Sequence, residues 1–219
     1  MDKKILIIGK NSKIARHFIK KIPNKSDIYA PSKKEWNMEN IKFNQKKIKI
    51  ISQVDKILLL QSIISSKNYL KRSTESIVKQ IKINLLSILS ICEIALNNNK
   101  KIKIIVIGSE SGIKGSNDLI YALTKNSLHK YIEERKIKYP EQQLLCVAPS
   151  TIIDGNITLN RRDKKNVSKS ILNNPKKRGI LSSEISNLIY SLFYEQTDYL
   201  NNLVIRVDGG KFSRMEINK

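Results

Sequence analysis

Short apolar segments alternate with helix-forming segments along nearly the whole of this chain. The apolar segments are KILIIG (4–9), DIYAP (27–31), DKILLLQSII (55–64), KIKIIVIGSESG (101–112), QQLLCVAPS (142–150) and NLVIRVDGG (202–210). Helical periodicity is clearest at 10–22, 74–96, 119–136 and 182–196. Because each return to a parallel strand needs a crossover, this order predicts an α/β fold: a doubly wound, Rossmann-like parallel sheet in a single domain over residues 1–219.

The chain is strongly basic, with a formal net charge of +22. Binding to nucleic acid requires clustered lysines and arginines, commonly with stacking aromatic residues beside them. Here the lysines are spread along the chain among isoleucines and asparagines, and no basic stripe is interleaved with aromatic residues. We therefore expect a generally basic, solvated surface and no nucleic-acid partner.

Cysteine and histidine are scarce. Cys92 and Cys146 lie in apolar surroundings without metal-ligand spacing, which predicts buried core thiols and a reducing cytoplasm. His17 and His129 leave almost no material for a zinc site or a histidine-based triad, so no metal is expected. The first apolar run is far shorter than the roughly 20 residues that span a bilayer, so no membrane association is expected.

Ligands of doubly wound sheets bind at the carboxyl ends of the strands. The loops at 9–15, 60–64, 109–118 and 149–155 should therefore converge on one crevice. The first loop, GKNSKIA, has Gly9, but Lys13 and Ala15 stand where further glycines are usual. Taken alone, this turn fits a structural strand-to-helix turn as well as a phosphate site at a helix N-terminus.

The segment YALTK places Tyr121 and Lys125 one helical turn apart. The spacing by itself carries little information, because Tyr29 also precedes Lys33 by four residues, and Tyr131 likewise precedes Arg135. Only the pair at Tyr121 follows an apolar strand that enters a Gly/Ser loop. The order of elements therefore separates this pair from the other two.

This order of motifs resembles the classical short-chain dehydrogenase/reductase family over nearly the whole chain. That family has a glycine-rich turn, then an Asn on a central helix, a Ser after the next strand, and Tyr-x-x-x-Lys on the following helix. The matching residues are Gly9, Asn84 in IKINLLSI, Ser109 in VIGSESGIKG, Tyr121 and Lys125. Further matches are VAPSTII, with Ser150 in place of a glycine, PKKRGILSSEI, and the final NLVIRVDGG.

The resemblance implies an NAD(P)-dependent oxidoreductase that interconverts a carbonyl and a secondary alcohol. Tyr121 is the expected general acid/base, because a neighbouring Lys125 ammonium favours the phenolate form. Ser109 is expected to hydrogen-bond the substrate oxygen as charge develops there. Asn84 is expected to hold a water that links Lys125 to solvent, and Lys125 also to hold the nicotinamide ribose.

The end of the second strand bears on cofactor choice. It reads APSKKE, and basic or hydroxyl groups at this position accommodate the 2′-phosphate of NADP, which favours NADP over NAD. Lys10 or Lys13 of the first turn could assist. The full set of expected cofactor-binding residues is Gly9, Ser12, Lys13, Ile14, Ser32, Lys33, Gln61, Ser62, Tyr121, Lys125, Pro149 and Ile152.

Some positions depart from the family pattern. Leu60, Gln61, Ser62 and Ile63 stand where the family usually has Asn-Asn-Ala-Gly. This bulkier turn flanks the expected cofactor site, so a divergent, non-catalytic nucleotide-binding or sensing module of the same fold is the alternative interpretation.

The segment from about 155 to 181 is expected to form a substrate lid. Its basic runs NRRDKKN and NPKKR suggest an anionic small-molecule substrate, although surface lysines explain the same runs. The family usually pairs through two long helices, here 74–96 and 119–136, which predicts a homodimer or homotetramer.

Overall fold

A computed structural model describes residues 4–160 and 164–213, without the side chain of Lys164. Its sheet consists of six parallel strands, in the spatial order β2-β1-β3-β4-β5-β6. The strands are β1 (Ile5–Ile8), β2 (Ile28–Tyr29), β3 (Lys56–Leu59), β4 (Lys103–Ile107), β5 (Gln143–Pro149) and β6 (Leu203–Val207). The predicted doubly wound parallel sheet is confirmed.

Helices connect the strands. They are α1 (Lys13–Lys21), α2 (Gln45–Gln53), α3 (Thr74–Ile81), α4 (Ser87–Asn98), α5 (Ser111–Lys114), α6 (Leu119–Glu134), α7 (Asn156–Leu159), α8 (Lys164–Leu172) and α9 (Ser182–Tyr194). A π-helical segment, Lys82–Leu86, joins α3 to α4 without a break. The helix predicted over 74–96 is therefore continuous, with a widened π-helical turn in its middle. None of the helices in the described part of the chain is long and apolar enough to cross a bilayer.

The core lies in two layers, one on each face of the sheet. Successive residues of a strand point to opposite faces, so Leu6 and Ile8 of β1 pack with α2, α4 and α6. Ile5 and Ile7 of the same strand pack with α1 and α9 on the other face. The central strands are mostly apolar and buried because both faces of the sheet are covered.

The third strand is shorter than its apolar sequence. β3 ends at Leu59, although the apolar residues Leu60, Ile63 and Ile64 follow it, and β4 ends at Ile107, where the predicted Gly/Ser loop begins. Ile63 and Ile64 belong to the loop after β3, where they line a cavity. Apolar residues in such a loop extend the strand pattern in the sequence without extending the hydrogen-bonded ladder.

The predicted lid contains two short helices, α7 and α8. A single bridge between Ile152 and Ile180 brings the two ends of this segment together. Part of the run NRRDKKN, residues 161–163, lies outside the described residues. Both cysteines are buried and free, as predicted.

Candidate active site

A cavity of about 410 Å³ lies at the carboxyl ends of the central strands. It is the crevice that the loop positions predict, at the point where the chain order in the sheet reverses between β1 and β3. Among the residues predicted for the site, those that line this cavity are Gly9, Ser12, Lys13, Ile14, Ser32, Lys33, Gln61, Ser62, Ser109, Tyr121, Lys125, Pro149 and Ile152. Asn84 does not line the cavity.

The turn between β1 and α1 brings its backbone close to β3. Gly9 has a φ of +92°, and a Cβ placed there would lie 3.0 Å from the carbonyl carbon of Leu60. Ser12 caps α1, because its Oγ accepts a hydrogen bond from the amide of Ala15. The N-terminus of α1 therefore faces the cavity with a backbone geometry suited to an anion.

Ser109, Tyr121 and Lys125 also line this cavity. The Nζ of Lys125 lies 5.8 Å from the centre of the Tyr121 ring. The Oγ of Ser109, which follows β4, accepts a hydrogen bond of 3.1 Å from the amide of Ser111. Because one lone pair of this hydroxyl is engaged in its own turn, its proton is available for donation elsewhere.

Lys125 is almost fully buried, with 1% of its surface exposed. Its Nζ donates to the carbonyl oxygen of Ile107 at the end of β4, at 2.7 Å. Burial lowers the pKa of Lys125 to about 8, although Cys146 acts in the opposite direction. The ammonium is thus held at a fixed position beneath the cavity by a single backbone acceptor among the described residues.

Asn84 lies in the π-helical segment and is fully buried. Its Oδ1 accepts from the amide of Ile63 at 2.8 Å, and its Nδ2 donates to the carbonyl oxygen of the same residue, also at 2.8 Å. The side chain therefore holds the loop after β3 in place. Widened helical turns often occur at functional sites, and here the turn presents Asn84 to this loop.

Asp118 fixes the start of the helix that carries Tyr121. Its Oδ1 accepts from the amide of Tyr121 at 3.1 Å and lies 3.3 Å from the guanidinium of Arg72. Its Oδ2 accepts from the amide of Ser65 at 2.6 Å and from Gln80 at 2.7 Å. One buried carboxylate thus joins α3, α6 and the loop after β3.

No protein-family model matches the sequence, and no curated protein matches it either. Solved structures, in contrast, are similar over almost the entire chain. A short chain dehydrogenase family protein from Francisella tularensis superposes with a TM-score of 0.81 at 18% identity, over 98% of this chain and 100% of its own. The aldohexose dehydrogenase of Thermoplasma acidophilum has a TM-score of 0.79 at 17% identity, over 99% and 97%. A short chain dehydrogenase from Burkholderia cenocepacia, in complex with NADP, has a TM-score of 0.79 at 12% identity, over 96% and 98%.

The chain has the short-chain dehydrogenase/reductase fold. The sequence resemblance is thereby confirmed at the level of the fold. Within this fold the other two Tyr/basic pairs lie elsewhere. The hydroxyl of Tyr131 donates to Glu93, and the ring of Tyr29 packs edge-on against Trp36. Neither tyrosine lines the cavity.

Several residues that line the cavity were not predicted from the sequence. Trp36 and Met38, from the irregular segment after β2, form part of its wall together with Ile83. Both Trp36 and Met38 are buried, and the Nε2 of Gln61 lies 4.0 Å from the sulfur of Met38. Trp36 is the only tryptophan of the chain, and this was the one feature of the sequence that could have drawn attention to it. Its place in the wall depends on contacts with Tyr29 and Phe43.

A second cavity, of about 710 Å³, adjoins the first. The two share part of their lining, namely Ser62, Ile63, Ile64, Asn156 and Ile157. The other residues around the second cavity are mostly small and polar: Ser65, Ser66, Lys67, Ser116, Asn117, Asp118 and Asn160.

Proposed function

We propose that this protein is an NAD(P)-dependent oxidoreductase that interconverts a carbonyl and a secondary alcohol. The observation that carries the proposal is that Ser109, Tyr121 and Lys125 line the same cavity as the Gly9 turn. The Gly9 turn, Tyr121 and Lys125 would hold a dinucleotide bound in this cavity, and Ser109 would face the substrate. The site fits such a group, because Gly9 lines the cavity and α1 begins there with its N-terminus.

Tyr121, Lys125 and Ser109 would each have a separate role at the reacting carbonyl. The nicotinamide supplies or accepts the hydride when it is bound. Tyr121 donates a proton to the substrate oxygen in reduction and accepts it in oxidation. The ammonium of Lys125 favours negative charge on the phenol oxygen as the proton leaves, and the Ser109 hydroxyl donates a hydrogen bond to the substrate oxygen.

Asn84 has a supporting role in this proposal. A relay through a water between Lys125 and solvent stays a prediction for this residue. The hydrogen bonds of its side chain to Ile63 indicate a second contribution, which is to hold the loop after β3 against the cavity. That loop includes Gln61 and Ser62, both expected to contact the cofactor.

NADP is the cofactor that we favour. Lys10, Ser32 and Lys33 line the cavity at the end of β2, where positive charge suits a 2′-phosphate. The backbone amide of Ser32 is taken by the Glu35 carboxylate at 2.7 Å, so the lysine side chains must supply most of the attraction. The Burkholderia cenocepacia structure of the same fold is a complex with NADP.

We further propose a small-molecule substrate, a cytoplasmic location and a homo-oligomeric assembly. A small carbonyl compound fits the adjoining cavity, where Lys67 supplies positive charge for an anionic group. The described basic residues of the runs NRRDKKN and NPKKR line neither cavity, so these runs add little to that inference. Two buried free thiols suit the cytoplasm, and a homodimer or homotetramer through the helices predicted at 74–96 and 119–136 stays a prediction.

Cofactor titration is the first test. Binding of NADPH and NADH to the full chain, followed by their fluorescence, should show micromolar binding with NADPH the tighter ligand. A panel of carbonyl compounds is then screened with NADPH oxidation as the readout. Tyr121→Phe should retain NADPH binding and lose turnover by at least about 100-fold, since a positioned acid/base typically contributes this much.

Tyr131→Phe is the matched control, because Tyr131 lies on the same helix, precedes a basic residue by four positions and does not line the cavity. It should keep wild-type turnover. Binding of cofactor without turnover of any carbonyl would favour the sensing module instead. Failure to bind either dinucleotide would reject both interpretations.

A further inference from the structure

His129 lies directly behind the loop that carries Ser109. It is in α6, one turn after Lys125, and only 5% of its surface is exposed. Its Nε2 accepts the backbone amide of Ser109 at 3.3 Å. The ring does not line the cavity, and it contacts the site through the main chain of the loop that holds Gly108 and Ser109.

The backbone of the loop has no other acceptor for this amide among the described residues. The amide of Gly108 continues the sheet by donating to Val147 at 2.8 Å, and the amide of Glu110 donates to Pro149 at 2.9 Å. The amide of Ser109, between them, points away from the sheet toward α6. A buried amide left without a partner costs about 1–3 kcal/mol, so the imidazole nitrogen completes the hydrogen bonding of this turn.

Two glycines make room for the ring. A Cβ at position 108 would lie 2.4 Å from Nε2 of His129, and a Cβ at position 112 would lie 2.7 Å from Cε1. The backbone therefore approaches the imidazole from both sides of Ser109. A glycine at 108 and a glycine at 112 are thus both needed for the imidazole of His129 to pack against this loop.

The ring must be neutral to accept this hydrogen bond. Burial, with the nearby Lys125 charge, lowers the pKa of His129 to about 4. Because Nε2 is the acceptor, the proton of the neutral ring lies on Nδ1. The imidazole is then a fixed acceptor over the pH range in which such a site would work.

We propose that His129 is a positioning residue for the Ser109 hydroxyl. This inference rests on the proposed function. The imidazole holds the main chain of Ser109, and the turn bond from Ser111 to its Oγ orients the side chain. Together they direct the hydroxyl proton toward the carbonyl oxygen of the substrate. Errors of about 1 Å in such placement lower rates by up to about 100-fold.

Two substitutions separate this role from simple filling of space. His129→Leu fills most of the ring volume and has no acceptor. His129→Gln can place its Oε1 near the position of Nε2 and can accept the Ser109 amide. The measurements are kcat and KM for a carbonyl that the wild-type chain reduces, the Kd for NADPH, and the melting temperature.

We expect His129→Leu to lower kcat by about 10-fold to 100-fold, with KM and the Kd for NADPH within about threefold of wild type. His129→Gln should recover most of the lost kcat. Phe193→Leu is the control for loss of stability, because Phe193 packs on the opposite face of the sheet. It should lower the melting temperature and leave kcat unchanged.

Wild-type kcat in His129→Leu, or equally low kcat in the Leu and Gln variants, would overturn the proposal. If His129→Leu does not fold, His129→Asn replaces it, since a shorter amide does not reach Ser109, and the same contrast with His129→Gln applies. A wild-type chain that binds NADPH but reduces no carbonyl rejects the proposed function, and this inference with it. An active wild type with unaffected variants rejects the inference alone.

Discussion

The Nζ of Lys125 lies 5.8 Å from the centre of the Tyr121 ring and donates to the carbonyl oxygen of Ile107. The lysine is thus enclosed between a strand end and an aromatic ring, with little access to water. Placing a charge there is unfavourable for folding, yet it puts the ammonium where a proton-transferring phenol needs it.

Lys125→Met should stabilise the protein at pH 7. The folded-state pKa of Lys125, about 8, lies below its ordinary value of 10.5, so the charged form is disfavoured in the folded state. Between these two values the unfolded chain binds more protons, and wild-type stability should rise with pH by roughly 3 kcal/mol. The advantage of the Met variant should therefore shrink over this window.

Urea unfolding of both proteins at pH 7, 9 and 10 measures this difference, and the other titrating groups cancel between them. The variant should also lose carbonyl turnover. A stability difference that does not change with pH would show that burial of Lys125 does not govern its protonation.

Gly9→Ala should cost more than Gly115→Ala. Both glycines have φ near +90°, so both substitutions carry a backbone penalty of about 1–3 kcal/mol. Only at Gly9 does the added methyl meet another strand end, 3.0 Å from Leu60, whereas no atom lies within 4 Å at Gly115. Chemical denaturation gives the two free energies. NADPH titration should show weaker binding only in Gly9→Ala, and equal effects of both variants would contradict a close approach at the first turn.

Asp118→Ala should be among the most damaging single substitutions away from the core. It removes four hydrogen-bond or ion-pair contacts and leaves Arg72, 3% exposed, without its partner. Loss of one member of a buried pair typically costs about 3–5 kcal/mol. Arg72→Met should cost less, because Asp118 keeps three donors. The comparison is made by urea unfolding, and an equal or larger loss for Arg72→Met would show that the three hydrogen bonds of Asp118 to Ser65, Gln80 and Tyr121 add little to stability.

Lys33→Gln should weaken NADPH binding by about tenfold, which corresponds to about 1.4 kcal/mol, and leave NADH binding nearly unchanged. Lys34→Gln is the matched control: both lysines are exposed, but only Lys33 lines the cavity. Fluorescence titration of the three proteins at fixed ionic strength gives the ratio of the two affinities. An equal decrease in both lysine variants would indicate a general effect of positive charge.

Predictions from the sequence were most accurate where the determining interactions are local. The alternation of apolar strands with amphipathic helices predicted the parallel sheet, and Gly9 predicted the turn that opens α1. The spacing of Tyr121 and Lys125 placed both on one face of α6, because four residues span about one helical turn. The order of the elements then brought them to the carboxyl ends of the strands.

The tertiary structure alone decided which distant side chains meet. Sequence patterns could not show that His129 accepts the Ser109 amide, that Asn84 binds Ile63, or that Trp36 forms part of the cavity wall. The reason is physical. The periodicity of a sequence indicates which face of a helix or strand is buried, but it does not indicate which other element covers that face. Hydrogen bonds between elements depend on how the helices pack across the sheet, and this is fixed only when the whole core is assembled.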